Sequence, residues 1–273
     1  MSAATAPRVA AALRVCRALR ARRAASRPAR ALVVAAAGKP PLVKVCGVTS
    51  VADCALAVEK GADFIGMILW PKSKRSIDFA LAREIAARAK EGGATPVGVF
   101  VDESMDAIVS ACKDVGIDHA QLHGDGARAS LKDLPMSIKA IWVVNADADG
   151  VIVTPLPGDE DALMKQRTDA MGANPVTAAV DFVKGPRRVV DWILVDGVVA
   201  GSGETYDWTN LKPPKGASRK GWLLAGGLDP ENVAEAVAVC APTGVDVASG
   251  VTDNSGVAKD ASKVEAFIAN AKK

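Results

Sequence analysis

Eight short apolar runs, each separated from the next by a helical stretch, predict an α/β protein, a single (β/α)8 TIM barrel over residues 41–273. Two further observations support that class. Aromatic residues make up only 4% of a chain that is 49% hydrophobic, so the core must rest on Val, Ile, Leu and Ala, as parallel sheets wrapped by helices do. Glycines also recur where a helix hands over to a strand, in Gly61-Ala62-Asp63, Gly116-Ile117-Asp118 and Gly244-Val245-Asp246, each expected to be a left-handed C-cap. A doubly wound open sheet is the alternative. Against it, no GxGxxG follows the first apolar run, and eight near-equal units close more readily than they fan out.

The first run, LVKVC (42–46), stops at Cys46-Gly47. The helical VADCALAVEKG follows, behind Thr49 or Ser50 as N-cap. DFIGMIL (63–69) precedes FALAREIAARAKEG, PVGVFV (96–101) precedes SMDAIVSACKDVG, and HAQLH (119–123) precedes ARASLKDL. SIKAIWVV (137–144) is the fifth strand. Periodicity then fades over 145–190, which predicts an enlarged loop after strand 5 with a partial helix at 159–171. WILVD (192–196), WLLAG (222–226) and GVDVASG (244–250) complete the strands. The last helices are PENVAEAVAVCA, with Pro230 expected at its first position, and KDASKVEAFIANAKK.

Residues 1–40 stand apart from this barrel domain. They hold eight arginines and Lys39 but no Asp or Glu, in a background of Ala, Ser and Val, which is the make-up of an organelle transit peptide. A basic tail for nucleic acid or acidic lipid is the other reading of that composition. The formal charge of +3 hides the split: nine of the 34 basic residues lie there, so 25 face 31 acidic ones in the body, a net of −6. An acidic body offers no footprint for nucleic acid. No apolar stretch approaches the roughly 18 residues of a membrane span. Five scattered cysteines, Cys16, Cys46, Cys54, Cys112 and Cys240, form no CxxC and point to free thiols in a reducing compartment. The only histidines are His119 and His123, four apart on one strand face, and no metal site is expected of them.

In such barrels catalytic groups stand at the C-terminal ends of strands, and phosphate binds at the loops after the seventh and eighth. Those loops are Ala225-Gly226-Gly227-Leu228 and Ala248-Ser249-Gly250-Val251. Their backbone N–H groups can approach an anion, aided by a short helix after Gly250, although glycines equally serve plain turns. Period-two alternation puts Lys44 and Cys46 on the inner side of the first strand, with Cys46 at the rim. Cys54, Cys112 and Cys240 lie in amphipathic helical patterns and read as packing, whereas Cys46 has a catalytic address. Asp196 ends the sixth strand in the same way. Asp246 is placed to pair with Lys44, Arg75 in WPKSKRS is a loop cation at the same end, and His123 is a polar rim residue.

The stretches KVCGVTSVADC, GADFIGMILWPKSKR, VGVFV, AQLHGD, VDGVVAGSGETYDW, WLLAGGLDPENVAEA and GVDVASGV, spread over 43–251, together resemble phosphoribosylanthranilate isomerase. NADADG after the fifth strand is similar to plant and algal plastid members of that family. The resemblance implies an Amadori rearrangement in tryptophan biosynthesis, carried out in the chloroplast after removal of the transit peptide. It implies Cys46 as general base and Asp196 as general acid. Arg75 would take the anthranilate carboxylate and Gly226, Gly227, Ser249 and Gly250 the phosphate, with Lys44, His123 and Asp246 completing the substrate site. One acid and one base suffice, without metal or organic cofactor. The expected partner is a small phosphorylated anionic substrate, with no nucleic acid and no membrane; neighbouring tryptophan-pathway enzymes are candidate protein partners. Three features depart from the family pattern: Glu204 where a lysine is usual, the SIDFALAR segment, and the long 145–190 stretch.

Rival readings fail at particular residues. Indole-3-glycerol-phosphate synthase needs a catalytic lysine and several strand-end glutamates, and the analogous histidine-pathway isomerase needs an aspartate where Cys46 stands. Ribulose-phosphate epimerases need a histidine-rich metal site. A silent barrel that only binds a phosphorylated metabolite, or a thiol sensor, would not require Cys46 and Asp196 together. At pH 7 an ordinary thiol (pKa ~8.5) and an ordinary aspartate (~3.9) are each in the less useful form. The site must therefore shift both. Lys44 is expected to favour the Cys46 thiolate, and Cys46 to set the acidic limb of the pH profile.

Overall fold

The computed structural model describes residues 39–154, 190–198, 205–212 and 218–273. Residues 1–38 of the expected transit peptide, the partial helix expected at 159–171 and Glu204 lie outside the described residues. The strands are β1 (Leu42–Val45), β2 (Phe64–Ile68), β3 (Thr95–Phe100), β4 (His119–Leu122), β5 (Lys139–Ala146), β6 (Trp192–Gly197), β7 (Trp222–Leu224) and β8 (Gly244–Val247). They close into one barrel in chain order, every neighbouring pair parallel. The ring shuts where β8 returns to β1, with Leu42 opposite Gly244 and Lys44 opposite Asp246. This is the class the alternating pattern predicts.

Six α-helices lie among the described residues: α1 (Val51–Glu59), α2 (Phe79–Glu91), α3 (Met105–Val115), α4 (Asp125–Ala129), α5 (Val233–Cys240) and α6 (Ala261–Ala271). Four begin on a side chain that accepts an otherwise orphaned N–H. Ser50 accepts from Asp53, Asp78 from Leu81, Ser104 from Ala107 and Asp260 from Lys263, each cap contributing about 1 kcal/mol. Of the two residues offered for the first cap, Ser50 is the one used. ARASLKDL is less helical than expected, because α4 is short and passes into a 3-10 turn at Ser130–Lys132.

Two details differ from expectation. Gly61 (φ 99°) and Gly116 (φ 74°) take up left-handed backbone, but Gly244 does not. Helix α5 is terminated earlier, by Ala241 at φ 47°. Gly244 instead opens β8 where a Cβ would stand 2.6 Å from the Leu42 carbonyl oxygen, so glycine is required by strand contact. Pro230 lies in the turn before α5, behind Asp229, whose Oδ1 accepts the N–H groups of Glu231 (2.7 Å) and Asn232 (2.9 Å). The proline thus follows a capping aspartate one turn ahead of the regular helix.

The barrel is packed in two shells. Val43, Val45, Ile65 and Met67 face outward against helix residues such as Ile85, Ile108 and Phe267. Inward-facing Phe64, Val97, Ile141, Val143, Trp192, Leu194, Leu223 and Ala225 fill the interior. Phe64, His119 and Trp192 begin the alternate strands β2, β4 and β6 and close the N-terminal end, with Phe64 edge-on to both rings. The interior turns polar toward the other end, at Lys44, Asp246 and Gln121. That polar layer is the floor of the site.

Candidate active site

Cys46 follows β1 directly. Its N–H donates to Val247 O (2.8 Å), which holds it at the C-terminal rim. Gly47, at φ 65°, then turns the chain. Within β2, a Cβ on Gly66 would lie 2.6 Å from Cys46 Sγ, so the missing side chain makes room for the thiol. Arg75 crosses Gly47: a Cβ there would be 3.0 Å from the arginine Cδ and Nε. The loop cation read from the sequence is therefore buried, with Nη1 donating to Gly256 O (3.1 Å). Its Nε has no hydrogen-bond partner among the described residues.

Lys44 Nζ lies 2.8 Å from Asp246 Oδ1. Where the sequence suggests a substrate contact, Lys44 has no exposed surface and serves as a buried counter-ion. Burial opposes its charge, but Asp246 and Cys46 outweigh that and hold its pKa above the ordinary value. The expected thiolate is not the outcome. Burial raises the Cys46 pKa, and the Asp246 carboxylate adds to it; Lys44 and Lys259 pull the other way and do not win.

Asp196 ends β6 with Oδ1 accepting the Gly197 N–H at 2.8 Å. Burial and the negative charge of Asp246 push its pKa up to about 7, against the Gly197 hydrogen bond and Lys44. Asp196 thus keeps its proton far more readily at neutral pH than an ordinary aspartate does. Its Oδ2 is 3.6 Å from His123 Nε2. His123 is held near pKa 4 by burial and by the charges of Arg128 and Lys44, so the ring is neutral. With Gln121 Nε2 donating to Nδ1 (3.2 Å), the ring proton sits on Nε2, facing Asp196. His119 is at the opposite end of the barrel, bonded to Asp118 (2.7 Å), so the two histidines do not meet. Among the described residues no three His, Cys, Asp or Glu side chains converge as metal ligands.

The two glycine loops stand side by side. Gly226 (φ 84°) and Gly227 (φ 64°) are successive left-handed residues. A Cβ on Gly226 would meet Gly197 N at 2.7 Å and Asp196 Oδ1 at 3.3 Å, so this loop packs against the end of β6. A Cβ on Gly250 would be 2.0 Å from Leu228 O, where the loops touch. The short helix expected after Gly250 is a 3-10 turn, Ser249–Val251. Asn232 Nδ2 bonds Gly227 O (2.9 Å), and Tyr206 OH bonds Ala225 O (3.1 Å), bracing the first loop from both sides.

Cys46, Asp196, Arg75, His123, Asp246, Gly226, Gly227, Ser249 and Gly250 all lie at or beside strand C-termini. Cys54, Cys112 and Cys240 are buried, at pKa values pushed by burial to about 11, 12 and 11, which keeps them inert thiols. Sequence reasoning assigns no role to Gly66, Tyr206 or Lys259. A glycine inside an apolar strand signals close approach and could have found the first. Lys259 reads as the solvated start of the last helix.

A family model described as N-(5'phosphoribosyl)anthranilate (PRA) isomerase matches residues 43–156 and 174–270. The chain is 43% identical over 228 residues to N-(5'-phosphoribosyl)anthranilate isomerase 1, chloroplastic, of Arabidopsis thaliana, covering 84% of this chain and 74% of the relative. The crystal structure of phosphoribosyl anthranilate isomerase from Thermotoga maritima is similar with a TM-score of 0.66 and 32% identity, over 85% of this chain and 98% of that one. Another solved phosphoribosyl anthranilate isomerase, in complex with reduced 1-(o-carboxyphenylamino)-1-deoxyribulose 5-phosphate, is similar at TM-score 0.64 and 31% identity, with the same coverage.

Proposed function

The chain belongs to the phosphoribosylanthranilate isomerase family, and from that membership we infer that it converts N-(5-phosphoribosyl)anthranilate to 1-(2-carboxyphenylamino)-1-deoxyribulose 5-phosphate in tryptophan biosynthesis. The observation that carries a mechanism is the contrast between two groups at one barrel mouth. Asp196 is a carboxyl kept partly protonated, and Cys46 is a thiol on the facing side. Asp196 gives its proton to the ribose ring oxygen as the bond to C1 breaks and the anilino nitrogen forms a Schiff base. Cys46, as thiolate, removes the C2 proton, and the resulting enol tautomerises to the ketone.

The other residues hold the substrate. Arg75 takes the anthranilate carboxylate, its guanidinium being held across Gly47 by the bond to Gly256 O. Backbone N–H groups of Gly226, Gly227, Ser249 and Gly250 surround the phosphate. His123 Nε2–H and the Asp246 carboxylate bond ribose hydroxyls, and Lys44 acts from below through its charge. A phosphorylated ligand of this kind occupies a solved relative. Turnover of freshly generated phosphoribosylanthranilate, followed by loss of its fluorescence, tests the reading. Binding of the reduced product analogue without turnover would favour the silent barrel instead.

Arg75→Met should lower kcat/KM about 10- to 150-fold, the worth of a charge-assisted contact of about 1.5–3 kcal/mol. Methionine retains much of the packing over Gly47, so circular dichroism should match the wild type. Normal turnover in this variant would refute the substrate pose. The protein is a chloroplast enzyme: the Arabidopsis relative is named chloroplastic, and the basic, acid-free residues 1–40 read as its transit peptide. Neighbouring pathway enzymes are its proposed protein partners, since its product feeds the next step.

A further inference from the structure

Lys259 lies between the 3-10 turn at Ser249–Val251 and α6, and it is buried. Its ammonium donates to Cys46 O (2.7 Å) and Ala248 O (2.9 Å). The first acceptor ends β1 at the proposed base, and the second begins the proposed phosphate loop after β8. The segment that carries Lys259 is itself tied down. Thr252 and Lys259 pair antiparallel, Asp253 N–H bonds Ala258 O (3.0 Å), and Lys259 N–H bonds Asp53 Oδ2 (3.2 Å) in α1. Gly256 of the same segment accepts the Arg75 hydrogen bond. One strap therefore touches the base, the carboxylate-binding arginine and the phosphate loop.

We propose that Lys259 is a positioning residue whose ammonium ties the ends of β1 and β8 together and supplies a positive charge that helps the Cys46 thiol ionise. Two carbonyl acceptors could be satisfied by a neutral donor, so burying a cation here, at a cost of several kcal/mol of desolvation, calls for a charge-based use. The charged groups facing Cys46 are Lys44 from β1, Asp246 from β8 and Lys259 from the strap. Those facing Lys259 are Cys46, Asp246 and Asp53, with Arg75 opposing. Burial brings Lys259 down to about 8, which leaves it mostly charged at neutral pH.

The inference rests on Cys46 being the base, and two readouts separate the claims. The rate of iodoacetamide alkylation at Cys46, located by peptide mass and measured against pH, reports thiol ionisation whatever the chemistry of turnover. The pH profile of kcat/KM reports its catalytic use. Lys259→Met should slow alkylation of Cys46 about tenfold below about pH 8, where Lys259 is charged, as loss of a nearby opposite charge does, and change it little well above that pH. It should lower kcat/KM about tenfold over the same range below about pH 8. Lys259→Arg, which keeps the cation, should restore most of both. Slower alkylation without a kinetic loss would leave this inference standing and refute the Cys46 assignment. An active, folded Lys259→Met alkylated at the wild-type rate at pH 7 would overturn the inference. Should Lys259→Met not fold, Lys259→Gln is read the same way, and failure of both to fold would mark Lys259 as a fold anchor only and overturn it too.

Discussion

Cys46→Ala is expected to lose about 10²- to 10⁴-fold in kcat, the usual contribution of a general base, with the fold intact. The fold should survive because the change removes one sulfur above Gly66 and leaves the Cys46 N–H bond to Val247 in place. Circular dichroism and turnover of the same preparation check both halves. A variant retaining more than about a tenth of wild-type rate would end the assignment. The pH dependence carries the sharper test. The active form needs Cys46 ionised and Asp196 protonated, yet Asp196 lies at about 7 and burial holds the thiol above its ordinary value. Between the two most molecules hold the single proton on sulfur, and the productive arrangement is a minority. Turnover should rise to a plateau through about 7 and fall only above the thiol pKa. The acidic limb then belongs to Asp196 and the alkaline limb to Cys46, the reverse of what a Cys46 thiolate favoured by Lys44 would give. Cys46→Asp should pull the alkaline limb down to about the Asp196 value, because the new base is ionised earlier. Cys46→Ser should be far worse than Cys46→Asp, since a hydroxyl is too weak a base.

Asp196→Asn should also lose about 10²- to 10⁴-fold in kcat while binding the reduced product analogue nearly as well as the wild type. Asparagine can keep the Gly197 N–H bond at Oδ1, so the end of β6 and the Gly226 loop packed on it stay in place. Its amide has no acidic proton for the ribose ring oxygen. The residual rate should then climb about tenfold per pH unit toward the thiol pKa, with no plateau from about 7 and no fall above it. Stopped turnover, analogue titration and a pH series on the one variant check this. A preserved bell shape, or a rate above about a tenth of wild type, would remove Asp196 from the role of acid.

Strand order, strand ends and the addresses of Cys46, Asp196 and Ser249 follow from local facts: period-two alternation, runs of branched apolar residues, and the count of units. These are properties of neighbours along the chain, so the sequence by itself determined the barrel and its rim. The pairing of Lys44 with Asp246 was also legible, because a lysine and an aspartate on adjoining inward faces have little else to meet. Protonation was not. The Asp196 value comes from burial and from Asp246, and that of Cys46 from burial working against two lysines. The burial of Arg75 over Gly47, the place of Gly66 under the thiol and the grip of Lys259 on two carbonyls join residues up to 213 positions apart. Only the tertiary structure decided these, because desolvation and Coulomb forces depend on distance in space, and closing the barrel is what turns distant residues into neighbours.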